Sequence, residues 1–173
     1  LRLVGSEMCI RDRVSSISSA IVGSEMQSTA SLNIPSVMAL FADDSIACAI
    51  SHPDGVEPIE VEQGELTTRG LIDAIGVEDI RTLKDAVTDS RENTRYALDR
   101  RARGLGSLVA ELCSNYSPAT VVVAGSAFID DPLAAAPFAR TVRSEANCRP
   151  ELRLIPTHRE VVRDIARAVA LDY

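Results

Sequence analysis

The sequence predicts one α/β domain built on a five-stranded mixed sheet, with the element order β-β-β-α-β-α-β-α and helices on both faces. Two apolar runs of strand length, 36–42 and 45–51, follow one another through Asp43-Asp44, as in a hairpin. A third apolar run, 119–125, is uninterrupted and rich in valine, which is typical of a central strand covered on both faces. Helical patterns precede and follow this run, so crossover connections should place its neighbours parallel to it.

The first thirteen residues, LRLVGSEMCIRDR, are predicted to lie outside the fold. Charged residues interrupt every apolar stretch of this segment, which excludes a secretory signal peptide. The segment resembles a translated sequencing adapter, and its core VGSEM recurs at 22–26 within an ordinary apolar pattern. We therefore expect an adapter-like segment over 1–13, a helix and connection over 14–35, and the folded lobe over 36–173. We also expect the natural protein to begin upstream of this chain.

The composition excludes several classes of function. Hydrophobic residues make up 46% of the chain, which suffices for a buried core, and aromatic residues make up only 3%, which disfavours stacking on nucleic-acid bases. The formal net charge of −7 opposes binding to phosphate backbones, and no apolar run is long enough to span a membrane. The cysteines lack metal-ligand spacing, which predicts reduced, mostly buried thiols in a cytoplasmic protein: Cys9, Cys48, Cys113 and Cys148.

The third strand is predicted after a turn at 52–55, with the sequence HPDG. It is expected over 57–63, where alternation places Ile59 and Val61 on the same face. Together with the first two strands it would complete a three-stranded meander.

Three helices are predicted after the meander. The first begins at an N-cap formed by Thr67 or Thr68 and ends at Gly76, and the second is expected over 77–88. The third, over 92–115, is the longest in the chain. Its apolar positions form one stripe at spacings of three and four residues: Leu98, Ala102, Leu105, Val109 and Leu112.

Arginines cluster on this long helix, mostly off the apolar stripe: Arg95, Arg100, Arg101 and Arg103. The expected explanation is a solvated helix face on which Glu92 and Asp99 are the ionic partners. The alternative is an interface with another domain.

The last third of the chain alternates helices and strands. After the central strand, a helix is predicted from Pro132, with Asp131 as its N-cap. A fifth strand is expected over 151–156, and an amphipathic helix over 157–173 closes the lobe.

Strands 1 and 4 are predicted to be parallel neighbours whose connections leave to opposite faces. Their carboxyl ends would then border a crevice of the kind in which open sheets bind ligands, with these candidate residues: Asp43, Asp44, Ser45, Gly125 and Ser126. A hairpin turn also accounts for Asp43-Asp44, and helix capping accounts for Asp130-Asp131. None of these residues is predicted to be catalytic or to bind a metal.

The segment ALDRRARGLGSLVAELCSNYSPATVVVAGSAF, 97–128, resembles the C-terminal lobe of the ROK family, which comprises sugar kinases and sugar-responsive transcriptional regulators. In that family a long helix with small residues near its middle leads through an N-P turn to an apolar strand that ends in glycines. AIVGSE, 20–25, resembles the helix that precedes the nucleotide lobe. The resemblance covers about 18–173 and implies a ribonuclease-H-like fold, as in the actin-like ATPase superfamily.

Several departures from the family pattern concern its phosphate-binding motifs. Active kinases of the family have a glycine-rich loop between the first two strands, whereas 42–45 is Ala-Asp-Asp-Ser here. The paired glycines after strand 4 are reduced to Gly125 followed by Ser126. The kinases' catalytic aspartate would fall at 16–17, where neither side chain is a base, and their zinc loop would fall within 62–92, which contains no cysteine.

The resemblance and its departures favour a non-catalytic lobe of a ROK-family sugar-responsive regulator, without a cofactor. The implied partners are a sugar or sugar-phosphate effector bound through a missing N-terminal lobe and DNA bound through a missing upstream domain, in a homodimer away from membranes. One alternative is a divalent-metal phosphodiesterase or nuclease in which Asp43 or Asp44 and Asp130 hold the metals. The other is a fragment of a ROK sugar kinase.

Overall fold

The computed structural model describes residues 36–52 and 55–156. Five strands form one sheet in the order β3-β2-β1-β4-β5. The β1–β2 and β2–β3 pairs are antiparallel, and the β1–β4 and β4–β5 pairs are parallel, which confirms the predicted mixed α/β fold. The strands are β1 Val37–Ala42, β2 Ile46–His52, β3 Gly55–Ile59, β4 Thr120–Ala124 and β5 Glu151–Leu154.

The helices follow the predicted order, with one short addition, α4, directly after β4. They are α1 Thr68–Ile75, α2 Leu83–Thr88, α3 Glu92–Tyr116, α4 Ser126–Ile129 and α5 Ala135–Glu145, and 3-10 turns cover Gly64–Leu66 and Pro132–Ala134. The helix and connection predicted over 14–35 and the helix predicted over 157–173 lie outside the described residues. No helix in the described ranges is long and apolar enough to cross a membrane.

Local capping interactions fix the ends of α1 and α2. The Thr67 side chain accepts a hydrogen bond from the Gly70 N–H at 3.0 Å, and Gly76 ends α1 in the left-handed conformation at φ 66°. α2 begins later than predicted because Thr82 is its N-cap and forms a capping box with Asp85.

The third strand lies earlier in the chain than predicted. It ends at Ile59, so Val61 lies beyond it, although both side chains pack against the same core cluster. Beyond the strand, the Gln63 side chain forms the hydrogen bonds to Ile46 of β2 that a continued β3 backbone would otherwise form. Its Oε1 accepts from the Ile46 N–H at 2.7 Å, and its Nε2 donates to the Ile46 carbonyl at 2.6 Å.

The two long helices α3 and α5 cover the same face of the sheet. One buried cluster joins β1, β4, α3 and α5 and includes Met38, Leu40, Val121, Val123, Ala102, Leu105, Val109, Phe138 and Val142. The crossovers from β3 to β4 and from β4 to β5 run in the same direction across the sheet, so right-handed connections place both helices on one side. The expectation that the connections of strands 1 and 4 leave to opposite faces is wrong, because β1 leads directly into the hairpin with β2 and only β4 leads into a crossover helix.

α3 and α5 approach each other closely at Gly106. A Cβ atom at this position would lie 2.8 Å from both the Phe138 carbonyl oxygen and the Thr141 Cβ, so glycine permits the contact. Next to it, the Phe138 ring meets the Phe128 ring edge to face, with 5.0 Å between the ring centroids. This contact connects α4 to the same core.

Candidate functional site

The carboxyl ends of β1 and β4 lie side by side, as the sequence predicts. Phe41 is paired with Ala124 in the parallel register, so the chain leaves both strands at the same edge of the sheet. Gly125 has a φ of 111°, and a Cβ there would lie 2.2 Å from the Ala42 carbonyl oxygen. Only glycine fits this contact, because it tolerates the positive φ and has no Cβ to collide with β1.

Side-chain hydrogen bonding closes the gap between the two strand ends. The Ser126 hydroxyl donates to Oδ1 of Asp43 in a very short hydrogen bond. The Asp43 N–H donates to the Ser45 carbonyl at 3.1 Å, and the exposed Asp44 accepts the Thr68 N–H on its carbonyl at 3.3 Å. The structure thus brings Asp43 and Ser126 into contact and places Gly125 against Ala42. The role of the five candidate residues as a ligand crevice stays a prediction.

Arg101 of α3 reaches the same turn from inside the protein. The residue is only 5% exposed, and its Nε and Nη2 donate to the carbonyls of Leu66 and Asp43 at 2.7 and 2.9 Å. Burial lowers the pKa of Arg101 to about 10, although the carboxylates of Asp43, Asp44 and Asp131 act in the opposite direction. The guanidinium is therefore a buried cation at neutral pH that joins α3 to the β1–β2 turn.

The prediction of a solvated arginine face is wrong for Arg101. Helical periodicity could have predicted the burial of Arg101. This residue lies three positions after Leu98 and four before Leu105, and both leucines are on the buried stripe. The side chain could only be buried because two backbone carbonyls accept its hydrogen bonds. Arg100 remains on the exposed side and forms a close ion pair with Glu65 of the first 3-10 turn.

Asp131 forms an ion pair with α3 and does not cap the following helix. Its side chain is 3% exposed, and its two oxygens accept from Nη1 and Nη2 of Arg95 at 2.9 and 2.8 Å. Asp99 binds the same guanidinium, as the sequence predicts, with Nη2 to Oδ1 at 2.6 Å. Asp131 does occupy the N-cap position before Pro132, but of a 3-10 turn, and the predicted capping by its side chain is wrong because that side chain binds Arg95.

The Asp131 carboxylate neutralises the charge of Arg95 at this edge of the sheet. Its hydrogen bonds raise the pKa of Arg95 further above the ordinary arginine value. The bidentate geometry is the strong form of an arginine–carboxylate contact, and it holds the connection after α4 against α3. Together with Arg101, this pair places two cations near the carboxylates at this edge of the sheet.

Cysteines and potential metal ligands do not form a centre in the described part of the chain. Cys48, Cys113 and Cys148 are free thiols, and burial raises the pKa of Cys48 and of Cys113 to about 12. Across 36–52 and 55–156, no group of three or more His, Cys, Asp or Glu side chains converges as a metal site would require.

Comparison with known proteins finds no matching family model and no matching curated protein. Solved structures match the fold. A ROK hexokinase from Thermus thermophilus matches at TM-score 0.68 and 14% identity, over 90% of this chain and 64% of its own. A ROK family glucokinase from Streptomyces griseus, in complex with glucose and AMPPNP, matches at TM-score 0.63 and 14% identity, over 90% and 66%. A ROK family transcriptional regulator, a homologue of the E. coli MLC protein, matches at TM-score 0.65 and 10% identity, over 89% and 50%.

The chain has the fold of a ROK-family lobe. The resemblance inferred from 97–128 is thus confirmed in the fold, and the ROK-family structures it matches include both enzymes and a regulator. The chain spans between 50% and 66% of the length of these three structures. In this lobe, the glycine-free turn after β1 and the contact between Asp43 and Ser126 occupy the edge of the sheet where β1 and β4 end.

Proposed function

We propose that this lobe is a non-catalytic part of a ROK-family sugar-responsive transcriptional regulator. The observation that supports the proposal is the closed edge between β1 and β4. The backbone at Gly125 lies directly against the Ala42 carbonyl, and the Ser126 hydroxyl is bound to the Asp43 carboxylate. The protein's own groups therefore fill the gap between the two strand ends.

Phosphate binding requires features that this edge does not offer. A phosphate cradle needs backbone N–H groups that point into an open, usually glycine-rich loop. Here the turn contributes carboxylates at Asp43 and Asp44, and a carbonyl oxygen of Ala42 lies nearest to Gly125. The buried cation Arg101 does not compensate, because its Nε and Nη2 donate to backbone carbonyls. A nucleotide triphosphate would have to break these contacts before it could bind.

The remaining parts of the proposal concern partners. A sugar or sugar-phosphate effector would bind mainly through a second lobe, and DNA would bind through a separate upstream domain, with the natural protein acting as a cytoplasmic homodimer. The fold of the ROK family transcriptional regulator among the matched structures agrees with this role. The metal phosphodiesterase alternative has less support, because no three potential ligands converge in the described residues.

Nucleotide binding distinguishes the proposed role from a kinase fragment. We would titrate the chain with magnesium AMPPNP by calorimetry, with an active sugar kinase of the same fold as the positive control. The expected result is no saturable binding at millimolar nucleotide. As a second measurement, ADP release would be followed with the natural protein that contains this lobe, over a panel of hexoses and N-acetylhexosamines. Saturable nucleotide binding or magnesium-dependent turnover above the blank would overturn the proposal and favour the kinase.

A further inference from the structure

A cavity of about 380 Å³ lies between α1, the 3-10 turn Gly64–Leu66 and α3. No residue of the β1–β4 edge lines it, so it is separate from the crevice described above. Its apolar wall comes from Leu66, Leu71, Ala74, Ile75 and Ala97. Polar side chains form about half of the wall: Glu65, Asn93, Tyr96, Arg100 and Arg101. The volume lies in the range of sites that bind small molecules.

Arg101 lines this cavity and has an unused hydrogen-bonding group. Nε and Nη2 of the side chain donate to the carbonyls of Leu66 and Asp43, but Nη1 has no partner. Among the described residues, it is the one buried side-chain nitrogen or oxygen without a hydrogen bond. Such a group is rare in folded proteins, because an unsatisfied buried donor is costly, and it needs an explanation.

The charges around the cavity favour an anion. Arg100 and Arg101 line it together with Glu65, which leaves one net positive charge in a chain whose formal net charge is −7. Arg100 and Glu65 are paired with each other and are both exposed. Arg101 is the cation of the cavity without a direct ion pair among the described residues, although the carboxylates of Asp43, Asp44 and Asp131 favour its charge from farther away. A cation beside apolar side chains can orient a bound anion that also carries an apolar group.

We propose that this cavity binds a small organic anion, in which a carboxylate or phosphate group is attached to a compact apolar body. The apolar body would contact Leu71, Ile75 and Ala97, and an anionic oxygen would accept a hydrogen bond from Nη1 of Arg101. Nη1 is buried in this structure, so binding requires the guanidinium or a neighbouring side chain to move. The ligand would satisfy both the orphaned donor and the buried charge.

Binding at this position would also reach the β1–β2 turn. The guanidinium that contacts the anion donates to the Asp43 carbonyl, which additionally accepts from the Thr68 hydroxyl at 3.2 Å. The ligand thus acts on the turn through one side chain. This inference does not depend on the proposed regulator role, because a kinase fragment with the same residues would contain the same cavity.

The experiment is a calorimetric titration of the whole chain with four probes. Phenyl phosphate and benzoate combine an anionic group with an apolar body, inorganic phosphate provides the anion alone, and benzyl alcohol provides the apolar body alone. We expect at least one of the two aromatic anions to bind, and the two partial probes to bind at least about tenfold more weakly. The stronger aromatic anion then identifies the preferred headgroup. Inorganic phosphate that binds as tightly as phenyl phosphate would overturn the proposal, as would the absence of binding by both aromatic anions.

Two variants locate the bound probe, with a third as the control. Arg101→Met removes the cation, and Ala97→Leu fills the cavity without changing Arg101. Each should weaken binding of the aromatic anion about tenfold or more. Arg103→Met, which removes an exposed cation of the same helix, should change the affinity for this anion less than about twofold. If Arg101→Met does not fold, Ala97→Leu decides the outcome. Unchanged affinity in Ala97→Leu would place the anion outside the cavity and refute the proposal.

Discussion

Replacement of Gly125 by alanine tests the close approach of β1 and β4. The new Cβ would lie 2.2 Å from the Ala42 carbonyl oxygen and 2.6 Å from its carbon. Both atoms belong to backbone that is held in place, because Ala42 is paired with Ile46 of β2 and the preceding Phe41 with Ala124 of β4. The change also forces alanine to adopt a φ of 111°. Overpacking of this kind costs about 1–3 kcal/mol, and an unfavourable backbone conformation costs about 1–3 kcal/mol more.

We therefore expect a loss of about 3 kcal/mol or more in the free energy of unfolding. For a domain of this size, 1 kcal/mol corresponds to about 2–4 °C in Tm, so Tm should fall by roughly 6–12 °C. Gly104→Ala is a matched control, because its Cβ would meet only the flexible Leu66 side chain, at 2.6 Å from Cδ2, within a regular helix. It should leave Tm nearly unchanged or raise it slightly, since alanine favours the helix by about 0.5–1 kcal/mol.

The assay is thermal unfolding followed by circular dichroism, with urea titration as a second measure of stability. A Gly125→Ala variant that melts within about 2 °C of the parent, an interval worth no more than about 1 kcal/mol, would refute the close approach. Equal losses of Tm in Gly125→Ala and Gly104→Ala would show that the effect comes from replacing any glycine, and that the contact of Gly125 with β1 is not its cause.

Three further predictions concern other parts of the lobe. Asp131→Asn should lower the free energy of unfolding by about 2 kcal/mol in urea titration, because it removes a buried carboxylate from Arg95, and a change below about 0.5 kcal/mol would contradict the ion pair. Burial raises the pKa of the Cys48 thiol from 9.0 to about 12. The stability that the protonated thiol contributes to the fold is therefore complete below pH 9 and declines as the pH rises from 9 to 12. Urea titrations over this range should show falling stability, with a shallower fall in Cys48→Ala. Deletion of 1–13 should leave Tm unchanged, and a melting point several degrees lower would show that the segment belongs to the fold.

The sequence by itself determined the features that depend on neighbouring residues. The N-cap at Thr67 or Thr68 and the stop at Gly76 follow from hydrogen bonds within one turn of chain, so residue types suffice to predict them, and the structure selects Thr67. The buried stripe of α3 and the fully buried β4 follow from periodicity, since burial of an apolar face dominates the placement of a helix or strand. The adjacency of Asp43 and Gly125 also followed, because parallel neighbours end at the same edge of a sheet.

Tertiary structure alone decided where the polar groups found their partners. Asp131 precedes a proline and fits an N-cap pattern, but Arg95 lies 36 residues away along the chain and binds it. Arg101 is buried because the carbonyls of Leu66 and Asp43, which are 35 and 58 residues away, accept its hydrogen bonds. A buried charge requires partners at fixed distances, and only the packing of α3 against the β1–β2 turn supplies them. Local patterns report which surface is apolar, whereas the pairing of distant polar groups depends on how the elements assemble.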